Sequence, residues 1–371
     1  MHKLTDAVST ITKAYGKTAG GLGFRFPSFA RLPTGILTLD LALAGGIPMG
    51  AVSLIYGNES SGKTSLALRL AAQFQKRHGK GKNARKVVWL DVENAWDEEW
   101  VRLHGVDPDQ VYLFRPTTAE EAADVADEVA MAQDAGLIIV DSIAAMSSID
   151  QLEKSAEKVV VAGAAKPSTT LLRKIGAGIT EHAKAGQTLT VIYINQPRMK
   201  IGFHMGNPEF LPGPVMQNFQ AFLKLRLTGK AILKEKISPI PIYSDNTAKI
   251  VKKKFPCIRQ SCEWQTMLYP WEHAGKKHWP LEVNNRTHAE ALLEDLDYLS
   301  KSATVKGKWD LFDIEHPDAG ELLQFPTKTA AVDWAVERYD ALTKFLIDDL
   351  LLLYKDDIKK QLEEAEKAGH K

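Results

Sequence analysis

Val52-Ser53-Leu54-Ile55-Tyr56-Gly57-Asn58-Glu59-Ser60-Ser61-Gly62-Lys63-Thr64 is the stretch on which the reading of this chain turns. An apolar strand, Val52 to Tyr56, runs into G-x-x-x-x-G-K-T, and Ser65 to Arg77 behind it has helical composition. Strand, loop and helix in that order make the segment a phosphate-binding P-loop. Gly57 and Gly62 let the backbone turn, so that successive N–H groups of Asn58, Glu59, Ser60, Ser61 and on to Ser65 converge on phosphate oxygens. The helix behind adds its positive N-terminal end. Lys63 reaches the β- and γ-phosphates as a point charge, and the Thr64 hydroxyl takes one position on Mg²⁺.

Working outward, Lys86 to Asp91, Val111 to Phe114, Leu137 to Asp141 and Thr188 to Asn195 are further apolar strands, and Ala119 to Ala135 is helical. Strands alternating with helical segments predict an α/β fold with a mostly parallel sheet covered on both faces, a P-loop NTPase core from about residue 35 to 228. A second acidic group is needed for the Mg²⁺ shell. Asp141 supplies it, emerging at the carboxyl end of its buried strand, where α/β sheets bind ligands. For the base that activates water, Glu93 is the candidate and Asp91 its competitor.

At 371 residues the chain can bury a full α/β core and still carry appended elements. Its 47 Lys and Arg nearly balance 46 Asp and Glu, so no global basic field advertises nucleic acid, and any DNA contact must be local. Cys257 and Cys262 do not make a disulfide framework, which points to a reducing cytoplasm. The N-terminus lacks a signal-peptide core, and the longest apolar runs are too short to span a bilayer. Leu4, Ala7, Val8, Ile11 and Tyr15 form one apolar stripe on a short helix, followed by a Gly- and Pro-containing connector to about residue 35. Such a helix can dock on its own core or on a neighbouring subunit.

Four segments, IYGNESSGKT (55–64), WLDVENAWD (89–97), GLIIVDSIAAM (136–146) and INQPRMKIGFHMGNPE (194–209), together resemble the RecA family, the ATP-dependent DNA strand-exchange recombinases of bacteria and phages. GILTLDLALAGGIPMG before the P-loop is similar too, and the likeness covers roughly residues 4 to 270. The resemblance implies a RecA-like core at 35–275, an N-terminal helix/strand polymerisation segment at 1–34, and a mainly helical C-terminal region at 276–371 to which it assigns no role. It implies ATP with Mg²⁺, a helical filament of the protein on single-stranded DNA, and pairing with duplex DNA. Mediator or single-strand-binding proteins are further partners, in the cytoplasm of the bacterium or, for a phage protein, of its host.

Residue by residue, the resemblance gives Glu93 the role of activating water. It sets Asp97 facing the adenine amino group and Trp100 stacking on the base, and it makes Gln196 the sensor of the γ-phosphate. The loop Pro197 to Pro214 matches the second DNA-binding loop, with Arg198, Met199, Lys200, Ile201 and Gly202 at the DNA and Ile201 inserting between bases. Pro197 departs from the family pattern and stiffens the loop's first turn. The first DNA loop falls at about Asp150 to Ala165 and is unlike the familiar glycine-rich version, so no tip residue is carried over; Lys166, Thr169 and Arg173 match phosphate contacts on the helix behind it. Lys252 and Lys254 match a pair that reaches the neighbour's ATP, where cations stabilise charge on the transferred phosphoryl group as an arginine finger does. Phe219 matches a phenylalanine bridging the nucleotide and DNA sites.

Cys257-x₄-Cys262-x₁₀-His273-x₄-His278 has zinc-like spacing, but the match to the family from Lys254 to Gln265 puts both cysteines at small-residue positions of core strands. Two rival readings are weaker. A ring-forming motor would need an arginine finger and translocation loops in place of the Asn-Gln-x-Arg-Met-Lys segment and the lysine pair. A non-catalytic regulator has no use for Lys63, Thr64, Glu93 and Asp141 together. Glu290 to Leu299 and Thr329 to Lys367 read as helices, and the unfamiliar first loop and C-terminal third lean towards a phage member.

Overall fold

In the computed structural model of the chain, residues 4–15, 29–146, 165–199, 209–233, 241–268, 271–273, 276–278 and 281–351 are described. Eight strands form the central sheet: β1 (Val52–Gly57), β2 (Lys86–Asp91), β3 (Val111–Phe114), β4 (Ala135–Asp141), β5 (Thr190–Asn195), β6 (Leu223–Leu233), β7 (Pro241–Lys253) and β8 (Ser261–Met267). Their order is β8-β7-β6-β1-β5-β4-β2-β3. From β6 to β3 every pairing is parallel, and β7 and β8 extend the sheet antiparallel.

Residues alternate between the two covered faces, which is why these strands read as nearly unbroken apolar runs. Ile55, Val87, Trp89, Ile139 and Ile192 face one core with Leu66, Leu70 and Phe74 of the helix Lys63–His78. Leu54, Val88, Leu90, Val140 and Tyr193 face the other, against the helices Ala119–Met131 and Ala165–Lys184. Those two helices meet closely, because a Cβ at Gly178 would lie 2.5 Å from the Ala130 carbonyl oxygen.

A third core joins the C-terminal region to this sheet. The short helix Leu37–Ala42 sends Leu39 and Ala42 into the sheet core, and Leu37 and Leu41 into a cluster with Leu293, Leu311, Val332, Leu342 and Leu346. Asp40 of the same helix is fully buried. It accepts from Thr34 N at 2.7 Å, Thr34 Oγ1 at 2.8 Å, Gly35 N at 3.2 Å and Tyr339 Oη at 2.6 Å. Leu37 N donates to Asn285 Oδ1 at 2.9 Å, and Asn285 Nδ2 donates to the Gly35 carbonyl at 2.8 Å.

The C-terminal region carries the helices Asn285–Asp295, Lys328–Glu337 and 339–351, but also a three-stranded antiparallel sheet, β9 (Leu299–Lys301), β10 (Trp309–Phe312) and β11 (Leu322–Phe325). The expectation of a mainly helical region missed these strands because each is shorter than the window over which period-two alternation is legible. Nor does a break at 275/276 separate the parts cleanly, since Thr266 bridges Val283 and Asn284 N donates to the Gln265 carbonyl at 3.1 Å. Cys262 is buried in the sheet core and Cys257 packs against it. Among the described residues no group of three or more His, Cys, Asp or Glu is placed to hold a metal ion. No described helix is long and apolar enough to cross a membrane.

Candidate nucleotide site

All the parallel strands end on one edge, and Lys63, Thr64, Glu93 and Asp141 are gathered there. Gly57 closes β1. A Cβ on it would sit 2.2 Å from the Leu227 carbonyl oxygen and 2.5 Å from Ser61 Oγ, so only glycine fits. Gly62, at φ 85°, caps the helix that begins at Lys63. Lys63 Nζ donates to the Asn58 carbonyl at 2.8 Å across the mouth of the loop, and Ser61 Oγ is buried without a hydrogen-bond partner. Burial pulls the Lys63 ammonium down, while Glu93, Asp141 and Glu59 pull it back up.

β4 delivers Asp141 opposite Thr64, whose Oγ1 donates to Asp141 Oδ2 at 3.0 Å. Burial first, and the Glu93 charge second, push this carboxyl up to about 7, against the pull of the Thr64 bond. A hydroxyl beside a buried carboxylate, with the Glu93 carboxylate near, is a hard-oxygen donor set that suits Mg²⁺ and is short of positive charge without it.

Asp91 and Glu93 differ in their partners. Asp91 is buried and spends its oxygens on the turn behind β2, accepting from Ala95 N at 3.0 Å, Trp96 N at 3.1 Å and Arg115 Nε at 3.2 Å. Glu93 is exposed on that turn, and Ser142 Oγ donates to its Oε1. Asp91 builds the turn that presents Glu93.

Beside the P-loop lies a cleft of about 230 Å³ lined by Ser60, Gly62, Ser65, Arg69, Trp100, His104, Ser244, Asn246, Trp264, Thr266 and Leu281, among others. Trp100 is 40% exposed, and its ring meets that of His104 edge-on with centroids 4.8 Å apart. Asp97 is exposed, and its Oδ1 accepts from Trp100 N at 2.8 Å as the N-cap of the helix Glu98–Leu103. Arg69 is mostly buried and donates from Nη2 to the Leu281 carbonyl; burial pulls its guanidinium down to about 10. Arg69, His104 and Asn246 escaped the sequence reading. His104 follows Trp100 by four residues, a spacing that sets both on one helix face and could have drawn attention to it.

Gln196 follows the last residue of β5, half-buried, its backbone N–H donating to Asn195 Oδ1 at 2.8 Å. Asn195 Nδ2 in turn donates to the Pro212 carbonyl and to Gln217 Oε1, which ties the strand end to the far side of the loop. Of that loop, Arg198 and Met199 are exposed on a two-residue ribbon paired with Phe210 and Glu209. Lys200, Ile201 and Gly202 lie outside the described residues, as does the first DNA loop up to residue 164. Lys166 and Arg173 are exposed and Thr169 half-buried, spaced along one face of the helix Ala165–Lys184.

Lys252 and Lys254 are elsewhere. Lys253 pairs with Leu223, which pairs with Ser53 at the start of β1, whereas Gly57 pairs with Leu227. The strand from Ser53 to Gly57 puts ~13 Å, at ~3.3 Å per residue, between the lysines' level and the P-loop. Lys252 Nζ donates to the Asn218 carbonyl at 2.6 Å, and Lys254 Nζ to the Phe219 carbonyl at 3.5 Å. Burial, then the Lys254 charge, pulls Lys252 down. Phe219 beside them is 73% exposed, so it is not a core residue.

The family model described as the RecA N-terminal domain matches residues 2–269. The chain belongs to the RecA family. Protein RecA of Nitratidesulfovibrio vulgaris is 36% identical over 259 residues, 68% of each chain. Protein RecA of Geobacter sulfurreducens is 36% identical over 252 residues, 67% of this chain and 71% of its own. A crystal structure of the RadB recombinase is similar at a TM-score of 0.45 and 22% identity, covering 64% of this chain and 96% of its own. RecA family proteins are DNA-dependent ATPases that carry out homologous recombination, use ATP generally with Mg²⁺, and form oligomeric filaments on DNA.

Proposed function

We propose that this chain is an ATP-dependent strand-exchange recombinase whose nucleotide site is completed by a second copy in a filament on single-stranded DNA. The observation that carries this reading is the division of one sheet. The P-loop, Asp141 and Glu93 occupy one end, while Lys252 and Lys254 stand at the other, beyond reach of their own P-loop. Stacked head to tail, such subunits would set the lysine end of one against the nucleotide end of the next.

In this reading the loop N–H groups and Lys63 hold the phosphates, and the γ-phosphate oxygens replace the Asn58 carbonyl as the partner of Lys63. Thr64 and Asp141 would hold Mg²⁺, which when bound would supply positive charge to the phosphoryl oxygens. Glu93, held by Ser142, takes the proton of the attacking water. Asp97 and Trp100 receive the adenine. Gln196 senses the γ-phosphate from the end of β5 and passes its presence to Arg198, Met199, Lys200, Ile201 and Gly202, so ATP sets the affinity for DNA. Lys166, Thr169 and Arg173 take backbone phosphates, and affinity falls with salt as counterions are released.

Mediator or single-strand-binding proteins act where the filament is loaded, in the bacterial cytoplasm.

ATP hydrolysis with and without single-stranded DNA, on wild type and on Lys252→Ala/Lys254→Ala, tests the proposal. Strong DNA stimulation that collapses in the double variant is expected. Turnover indifferent to both would overturn it.

A further inference from the structure

Glu93 stands on the turn that joins β2 to the helix Glu98–Leu103, and that turn is held from three sides. On the nucleotide side, Val92 N and Glu93 N donate to the Asp141 carbonyl at 2.8 and 3.3 Å. From within, the Asp91 carboxylate accepts from Ala95 N and Trp96 N, which folds the turn back onto the strand end. From the edge of the sheet comes Arg115. Phe114 closes β3 opposite Leu90, so the next residues along the two strands, Arg115 and Asp91, stand side by side. Arg115 Nε donates to Asp91 Oδ2 at 3.2 Å, and its Nη2 donates to the Trp96 carbonyl at 3.3 Å.

One planar guanidinium therefore bridges the two ends of the turn. Asp91 is 2% exposed, and a carboxylate so buried is costly without a cation, which Arg115 supplies. Within the span, Asn94 has φ 54°, a left-handed backbone that a residue other than glycine keeps only where its surroundings enforce it. Glu93 immediately precedes Asn94, so its direction depends on the turn staying closed. A turn that opened would carry the Glu93 carboxylate away from Ser142 Oγ, which donates to it.

We propose that Arg115 is a positioning residue for ATP hydrolysis: by tying the Asp91 carboxylate to the Trp96 carbonyl it fixes the turn that aims Glu93 at the attacking water. It acts through Glu93 and not on the nucleotide. The inference rests on the assignment of Glu93 as the base given above, and adds the group on a neighbouring strand that holds it in place.

The test is a double-mutant cycle on the full chain, read as ATP hydrolysis at saturating ATP and single-stranded DNA. Arg115→Ala is expected to lower kcat ~10–10²-fold, the scale of a misplaced catalytic group, with ADP affinity by titration calorimetry within about threefold of wild type. On a Glu93→Gln background the same substitution should change kcat by less than about twofold, because the group through which it acts is already gone. Arg115 is 48% exposed, so guanidinium ion at millimolar concentration should reach the vacated place and restore part of the turnover of Arg115→Ala, against sodium chloride at equal ionic strength. An arginine that merely stabilised the fold would lower the melting temperature, and its loss would carry over in full to Glu93→Gln.

Turnover of Arg115→Ala within about twofold of wild type overturns the proposal, as does a loss repeated in full on the Glu93→Gln background. If the alanine variant fails to fold, Arg115→Lys, which keeps the charge beside Asp91 but lacks the fork that spans to Trp96, is taken through the same cycle and judged by the same two criteria. Full turnover in Glu93→Gln alone would instead sink the assignment of Glu93, and this inference with it.

Discussion

The two ends of the central sheet are built from the same strands and carry opposite chemistry. At the carboxyl end, Lys63, Thr64, Asp141, Glu93 and Ser142 bond to one another or share charge within one chain. At the other end, Lys252 and Lys254 are held by backbone carbonyls at the end of the helix Met216–Gln220, with no carboxylate partner among the described residues. A cation against a helix C-terminus is favourably placed but only partly satisfied. The groups of one end find their partners among themselves, whereas the other end holds two cations on backbone carbonyls.

The sharpest way to break this comparison is at the carboxyl end. Glu93→Gln should reduce ATP turnover by ~10²–10⁴-fold with nucleotide binding kept, measured by phosphate release and by titration. Retained turnover would hand the base role elsewhere. At the other end, Lys252→Ala should lower kcat of DNA-stimulated hydrolysis by ~10²-fold, by the magnitude of losing one preorganised donor. Mixing this variant with Glu93→Gln subunits should restore some turnover, since an intact lysine end can then meet an intact Glu93. Failure to complement would argue that the lysines act within their own chain.

Two smaller effects probe the junction between the sheet and the C-terminal region. Burial raises Asp40 from 3.8 to about 6, opposed by its bonds from Tyr339, Thr34 and Gly35. The folded state therefore binds the proton more tightly than the unfolded state. The stability linked to this group is fully present below about pH 4 and is lost as pH rises to about 6, by up to ~3 kcal/mol. Asp40→Asn should flatten that slope in thermal melts taken across the window. Tyr339→Phe removes one bond to the same carboxyl and should cost ~1 kcal/mol in a denaturant midpoint. A larger loss would mean the C-terminal region is held mainly through this contact rather than through Leu37 and Leu41.

Much of this was legible in the chain. G-x-x-x-x-G-K-T with its flanking strand and helix gives the phosphate cradle, because glycine and lysine at those places have a local backbone reason that no distant contact alters. The nearly unbroken apolar runs at 87–91, 137–141 and 190–195 locate the parallel strands, since burial on both faces leaves them apolar throughout. The sequence reading takes Glu93 with Asp91 as its competitor, since Asp91 ends a strand and Glu93 stands two residues beyond it. Only the folded turn shows Asp91 bonded to Ala95, Trp96 and Arg115 and Glu93 exposed and bonded to Ser142.

What the tertiary structure alone decided depends on residues far apart in sequence. The β1–β6–β7 register sets Lys252 and Lys254 at the end of the sheet away from their own P-loop, a matter of strand pairing rather than of composition. The orphaned Nε2 of His104 is a statement about what surrounds it in space. The helix Leu37–Ala42 looks like a short link to the P-loop strand, yet it divides its side chains between two cores. A sequence records which residues are apolar or charged and at what spacing. It does not record which distant partner each will meet, and here that partner decides what each residue does.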